Sequence, residues 1–570
     1  MGELWLHPVL PFAVAAVVAW YAPRRVGAVA TVVAPLVAFV QLAQLETGTR
    51  VPLTYAGFEL EVMRVDALSM PFGWVFALAA LIAGIYGLAT MHERERASAL
   101  TYAGAAMGVV FAGDLMTLFI FWEIKAVAST FVILHRRGGN SARAGMRYLF
   151  VHLVGGKLLL AGVLWNYART GSLAFESMTL DVATSLILVA FLLSAAVPPL
   201  HAWLADAYPE ASVAGTVFLS AYTTKAAVYA LARGFPGTQL LIYLGIAMAL
   251  YGVVYAVLEN DTRRLLGYHI VSQVGYMVAA VGIGTELAIS GATAHAFAHI
   301  LYKGLLLMGA GAVLHATGRS KMSELGGIAR RMRGVLALYM IGAVSISSVP
   351  LFSGFVSKEL VVEAAYRSDL LWLVILLKIA SVGTFLHTGL KLPHGAFIGR
   401  EGVGPATNDG HRITVGPVPV SMYVAMGIGA LANTVIGLYP RVMYDLLPHA
   451  VDYAPYSADK VLEKSQILIF TALAFWLLLD RLHAKAKVSL DTDWLYRGLP
   501  ELVAGRRGDG PATPVTAEQT PAVRSGLLGT LERRGAALFA PSAPVVVPTW
   551  TLGAVILVTS LVILIVSLTP

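Results

Sequence analysis

The run DLMTLFIFWEIKAV, residues 114–127, decides the fold. It is almost wholly apolar, yet Glu123 and Lys125 lie inside it. A charge left in hydrocarbon costs several kcal/mol, so a chain that keeps two must shelter them in protein. On a helix these two side chains point about 200° apart and cannot face one interior together. Glu123 therefore needs a cation from another helix, and the nearness of that cation decides whether the carboxylate ionises. Lys125 reads as a peripheral side chain that snorkels to the membrane surface or meets a partner protein.

The surrounding chain has the same character. Its 570 residues are 57% hydrophobic and 13% charged, with mean hydropathy +0.72, against about 25% charged in a soluble domain. This composition is that of a polytopic membrane protein. There is no cysteine, which excludes disulfides and thiolate metal sites. The first 25 residues lack a basic leader region and read as a spanning helix, not a cleaved signal. The formal charge of +8 sits in a few loops and is no nucleic-acid surface.

At roughly 20 apolar residues per crossing, about 16 spans are expected, from 4–22 to 548–568. Residues 47–66 alternate polar and apolar positions around Pro52 and Gly57, which predicts an extramembrane hairpin. The arginine-rich loops 135–147, 260–264 and 318–333 fall on one side, expected to be cytoplasmic, with both termini outside. The Pro-rich stretch 506–526 reads as a linker. AAVPPLHAWLAD (195–206) and SSVPLFSGFVSK (347–358) both place proline beside an apolar span, and each precedes a span with a lysine, Lys225 and Lys391. That echo predicts paired repeats with discontinuous helices.

Further ionisable residues lie inside predicted spans: Lys157, Lys225, His295, His299, Lys303, Lys358, Lys378, His387 and Lys391. His295, His299 and Lys303 follow i, i+4, i+8 spacing and share one helix face. Such a polar stripe suits a proton relay. The alternative is two histidines bonding neighbouring helices beside a snorkelling lysine, for which Lys303 is too central. His201 follows two prolines and either gates proton entry or satisfies loose carbonyls. Asp206 and Glu210 read as loop or interface residues. No P-loop, metal-ligand spacing or nucleophile elbow is present, so no cofactor, metal or covalent catalysis is expected.

DLMTLFIFWE, PPLHAWLADAYPEA, TTKAAVYALAR, NDTRRLLGYHIVSQVGYM, HAFAHILYKGLLLMGAGAV and PLFSGFVSKE together resemble the antiporter-like membrane subunits. That family is shared by respiratory complex I, membrane-bound hydrogenases and Mrp-type cation/proton antiporters, and this chain looks nearest to the D-type component of the Mrp antiporters. The resemblance spans about residues 60–400. It implies an all-α polytopic fold of about 14–16 transmembrane helices with two inverted five-helix repeats, each holding a broken helix. The divisions would be 1–96, repeats at 97–233 and 238–400, core helices at 417–481, a lateral segment at 482–547 and a last span at 548–568.

By resemblance, Glu123, Lys225, His299, Lys303 and Lys358 match the family's buried Glu/Lys/His axis. One position departs: the lysine usual seven residues before the histidine of PPLH is Ser194 here, and Lys157 is the nearest replacement in sequence. The implied function is an ion-translocating subunit of a multi-subunit antiporter exchanging protons for Na+ or K+ across the inner (plasma) membrane. Its partners would be other hydrophobic subunits, lipid and the ions, with no nucleic acid. The alternatives are a proton-pumping subunit of a redox-driven complex, a relative in inorganic-carbon uptake, and a non-conducting scaffold.

Overall fold

The computed structural model describes residues 7–55, 57–136, 138–399, 413–479 and Asp491. Helices that are apolar on all sides leave no face for water and pack against one another. They begin with α1 (Leu10–Tyr21), α2 (Arg24–Gln44), α3 (Ser69–Gly87), α4 (Glu93–Phe111), α5 (Leu115–Leu134) and α6 (Gly139–Thr170). Next come α7 (Val182–Ser194), α8 (Ala202–Ala207), α9 (Val213–Ala221), α10 (Thr223–Gly234), α11 (Leu240–Leu258), α12 (Thr262–Ile283) and α13 (Glu286–Thr317). The last are α14 (Arg333–Ile346), α15 (Ser353–Arg367), α16 (Leu371–Thr384), α17 (Val420–Leu438), α18 (Arg441–Tyr444) and α19 (Ala458–Leu477).

Among the described residues, nine helices are long and apolar enough to cross a membrane: α2, α3, α5, α6, α11, α12, α13, α16 with its continuation to Ile398, and α17. Helices α1, α7 and α14 are shorter apolar helices. Broken or charge-capped helices carry other expected spans: α4 covers 97–113, and α9 with α10 covers 211–233. The chain is a multi-pass helical membrane protein. The expected span 548–568 and the 482–547 segment, apart from Asp491, lie outside the described residues.

The predicted hairpin is present. Strands β1 (Arg50–Tyr55) and β2 (Phe58–Arg64) pair antiparallel, Arg50 opposite Arg64 and Tyr55 opposite Phe58. The register slips between Val51 and Pro52, where proline's missing N–H is tolerated. The hairpin caps α5: the Asp114 carboxylate accepts from the Met116, Thr117 and Glu61 amides, each at 2.8 Å.

Two stretches of the bundle share local geometry at a spacing of 147 residues. The Leu115 amide donates to the Leu173 carbonyl, and the Thr262 amide to Ser320, at 2.8 and 2.9 Å. The returning bonds are Phe175 to Gly113 and Met322 to Asn260, at 3.1 and 2.9 Å. Each clip ties the start of one helix (α5 or α12) to the end of the next (α6 or α13), both 32 residues long and both ending on a left-handed glycine, Gly171 or Gly318. The first clip lies against the hairpin. The second lies at the other end of the bundle, where Arg263 donates to Ala211 and Arg136 to Pro209.

Both proline-marked breaks also match. Ala196 (φ 62°) and Ser348 (φ 59°) turn left-handed, and the following amides, Val197 and Val349, each donate back five residues, at 3.1 Å. Trp203 pins the first break by donating to the Leu193 carbonyl at 3.0 Å. Asn433 of α17 pins the second, its Oδ1 accepting from Ser353 at 2.6 Å and Ser345 at 3.3 Å.

Helices α11 and α12 approach almost backbone to backbone. A Cβ at Gly245 would fall 2.3 Å from the Ala279 nitrogen, and one at Gly275 would fall 2.4 Å from the Gly245 carbonyl. Gly252 and Gly282 repeat this at the neighbouring turns, so glycine at seven-residue spacing lines the seam. Both α12 and α13 are almost wholly buried within the bundle.

Candidate functional site

Helix α13 sets the site. With protein on every side, its polar stripe faces neighbours, and His295, His299 and Lys303 are all fully buried. Lys303 Nζ lies 3.3 Å from His269 Nδ1 on α12. The His269 ring meets His387 edge-on at 4.8 Å between centroids, and His387 Nδ1 lies 2.7 Å from the Thr388 hydroxyl. One turn back, the His299 ring packs edge-on to Tyr302 at 5.3 Å. The Tyr302 hydroxyl lies 3.4 Å from His295 Nε2, and His295 Nδ1 lies 3.2 Å from Ser357 on α15. The neighbouring Lys358 donates to the Ile346 carbonyl at 2.6 Å, at the mouth of the second break.

Lys225 enters from α10. Its ammonium donates to the Ser220 carbonyl at 2.8 Å and the Thr224 hydroxyl at 3.1 Å, and it lies within electrostatic reach of His299 and Lys303. Lys391 lies in a π-helical segment, Phe385–Lys391, that continues α16. There it donates to the Val257 and Glu259 carbonyls, at 2.5 and 2.9 Å. The result is a titratable row running His387–His269–Lys303 and His299–Tyr302–His295–Ser357, flanked by Lys225 and Lys358. Several of its nitrogens, including both of His299 and Nε2 of His269 and His387, have no hydrogen-bond partner among the described residues.

The first half differs from expectation in two places. Lys125 is not peripheral: it is fully buried, with Nζ 3.5 Å above the Trp122 ring. The 200° argument holds, but the faces are exchanged, because Glu123 is the outer residue. Glu123 Oε2 lies 3.8 Å from Lys157 Nζ, and the Lys157 side chain is 53% exposed on the chain alone. That pair lines an apolar cavity of about 570 Å³ with Trp20, Thr101, Phe131 and Leu153. Gly156 makes room for it, since a Cβ there would fall 1.6 Å from Glu123 Oε1. Asp206 is no loop residue: it is buried and accepts two bonds from Arg147, at 2.6 and 2.8 Å. Lys378 lies inside the span α16, as expected, and is a half-buried partner of Glu463 on α19.

Sequence reasoning missed His269, Gln273 and Tyr276. They follow i, i+4, i+7 along α12, a one-face spacing close to the i, i+4, i+8 that marked α13. It also missed Asp491, whose carboxylate accepts from the Tyr251 and Tyr268 hydroxyls and lies 3.2 Å from His201 Nε2. Only the fold brings Asp491 to the first break.

Residues 112–384 match the model of the NADH:quinone oxidoreductase/Mrp antiporter transmembrane family. The matched stretch, just under half of the chain, is similar to that family. The D-type component of the Na+/H+ antiporter of Alkalihalophilus pseudofirmus is 32% identical over 285 residues, 46% of this chain and 57% of that protein. Hydrogenase-4 component B of Escherichia coli is 29% identical over 445 residues, 69% of this chain and 65% of its own. The chain thus spans less than two thirds of these relatives. A chain in the structure of the Mrp complex from Dietzia sp. DQ12-45-1b superposes with a TM-score of 0.70 at 23% identity, covering 82% of this chain and 99% of that one. That likeness shows the family's fold. The matched region holds the broken helices, both clips and every titratable residue above except His387, Lys391, Glu463 and Asp491.

Proposed function

We propose that this protein is an ion-translocating subunit of a multi-subunit monovalent cation/proton antiporter of the plasma membrane, and that protons cross it along the buried Glu/Lys/His axis. The observation that carries this reading is the His387–His269–Lys303 row, three titratable groups in sequence contact inside a bundle that buries them completely. Retaining so many ionisable groups where each is costly is explained by transport and by little else. Lys225, Lys358 and Lys391 are its flanking carriers, and the Glu123–Lys157 pair opens sideways. The two clipped stretches at opposite ends of the bundle support an inverted repeat, and the convergence of the basic loops at one end supports a cytoplasmic face there, with the termini outside. Na+ or K+ is the counter-ion proposed.

The test is proton-gradient collapse in vesicles holding the intact complex. Lys303→Ala is expected to abolish the Na+- or K+-induced response, and full activity overturns the reading in favour of a non-conducting scaffold. The longer alignment to Hydrogenase-4 component B favours a second reading, a proton-pumping subunit of a redox complex. Native co-purification separates them: flavin or iron–sulfur partners support the redox complex, and only small hydrophobic chains support the antiporter.

A further inference from the structure

The first clipped stretch buries its own titratable pair, used nowhere above. Lys125 Nζ is fully buried, touches the Trp122 face and has no protein hydrogen-bond acceptor. Across from it on α6, His152 is equally buried and within electrostatic reach. His152 Nδ1 lies 3.0 Å from the Tyr148 carbonyl, which can only accept, so Nδ1 carries the hydrogen. Its other nitrogen, Nε2, is then a bare acceptor, and it too lacks a protein partner. An unpaired donor within electrostatic reach of an unpaired acceptor, both buried and both without a partner among the described residues, is costly for structure alone.

A hydroxyl row leads away from this pair. The Ser129 hydroxyl donates to the Lys125 carbonyl at 2.7 Å, so it accepts from the Tyr148 hydroxyl at 2.9 Å. Tyr148, whose ring stacks on His152 at 4.0 Å, also reaches Thr223 at 3.3 Å. Thr223 begins α10, and the next residue, Thr224, accepts from Lys225. The spacing of 147 adds an independent sign: it maps His152 onto His299 and Trp122 onto His269.

We infer that Lys125 and His152 are the inner proton carriers of the first half, and that the Tyr148 and Thr223 hydroxyls with intervening water lead from them toward Lys225. In the step, a Lys125 N–H bond breaks, a water molecule between the two groups takes that proton and releases one of its own, and an Nε2–H bond forms on His152, leaving a neutral amine and an imidazolium. Each hydroxyl onward takes one proton on its lone pair as it releases its own. This rests on the proton-transport reading above and deepens it; Glu123 and Lys157 are then the lateral door to an inner path.

The experiment compares variants in vesicles holding the intact complex, with assembly checked by isolating the complex. Lys125→Met keeps the packing volume and removes the proton. Lys125→Arg keeps the charge and the contact with Trp122 but cannot deprotonate. Both are expected to lose at least ~tenfold in transport rate, and Tyr148→Phe several-fold, while the surface variant Lys378→Gln transports normally. A merely structural cation would be rescued by arginine. Wild-type rate in Lys125→Met or Lys125→Arg, with Lys303→Met inactive, overturns this inference and leaves the transport reading standing. Wild-type rate in Lys303→Met overturns the transport reading itself. If the Lys125 variants do not assemble, Tyr148→Phe decides, and its wild-type rate overturns the inference.

Discussion

Gly156 shows how much one missing methyl group settles. Adding a Cβ there collides with Glu123 Oε1, so Gly156→Ala is expected to push the carboxylate off Lys157 and reduce transport several-fold, measured by vesicle pH-gradient collapse. One residue beyond its 147-residue counterpart in α13 the demand is absent: Gly304, with no atom within 4 Å of its would-be Cβ, should accept alanine with a gain of about 0.5–1 kcal/mol in helix stability, read as a raised thermal midpoint in detergent. Lys157→Ala should drop transport to that of Glu123→Ala in the same pH-gradient measurement; an active Lys157→Ala protein removes Lys157 from the path. At this scale the sequence was legible at His295, His299 and Lys303, whose spacing repeats along one helix, whereas the similar stripe of His269, Gln273 and Tyr276 holds one imidazole among uncharged side chains and was passed over. It was misread at Lys125, because periodicity tells which residues oppose each other and not which side is the interior.

The broken helices belong to the scale of elements. Ala196 and Ser348 hold left-handed backbone without being glycine, a conformation that costs an L-residue roughly 1–2 kcal/mol. Ala196→Gly and Ser348→Gly are expected to raise the thermal midpoint, each by about 1 kcal/mol of relieved strain, whereas Ala196→Val should lower it. Prolines announced both breaks in the sequence, because a ring without N–H cannot continue a helix. The hairpin was equally plain from its alternation. Helix boundaries were not: the expected abutting spans at 97–113 and 114–135 are separated only by the Asp114 cap, and that carboxylate's third donor, Glu61, lies 53 residues upstream. Contacts of that reach leave no local trace, and the docking of Asp491 against His201, Tyr251 and Tyr268 is another case.

For the molecule as a whole, composition alone identified a membrane bundle, and the ordered motifs identified the family it resembles, since both are carried by many residues at once. What assembled the site was the packing of α10, α12, α13 and α15, which no single segment encodes. The tightest part of that packing is the glycine seam between α11 and α12. Gly275→Ala would set a methyl group 2.4 Å from the Gly245 carbonyl and 2.6 Å from the Ala249 amide, both backbone atoms that no side-chain rotation can move. It is expected to cost about 1–3 kcal/mol or more and to cut the yield of folded protein extracted from membranes.

The same seam bears on how the machine moves. Two rods welded along their length cannot rock against each other, and neither lipid tail nor solvent has room to prise them apart. His269 is mounted on one of those rods, so its backbone is a fixed post, and its ring sits between Lys303 on one side and His387 on the other. In the transport proposed above, whatever alternates during a turnover does so around this stationary pivot: the traffic is brought to His269, and His269 is not carried to the traffic.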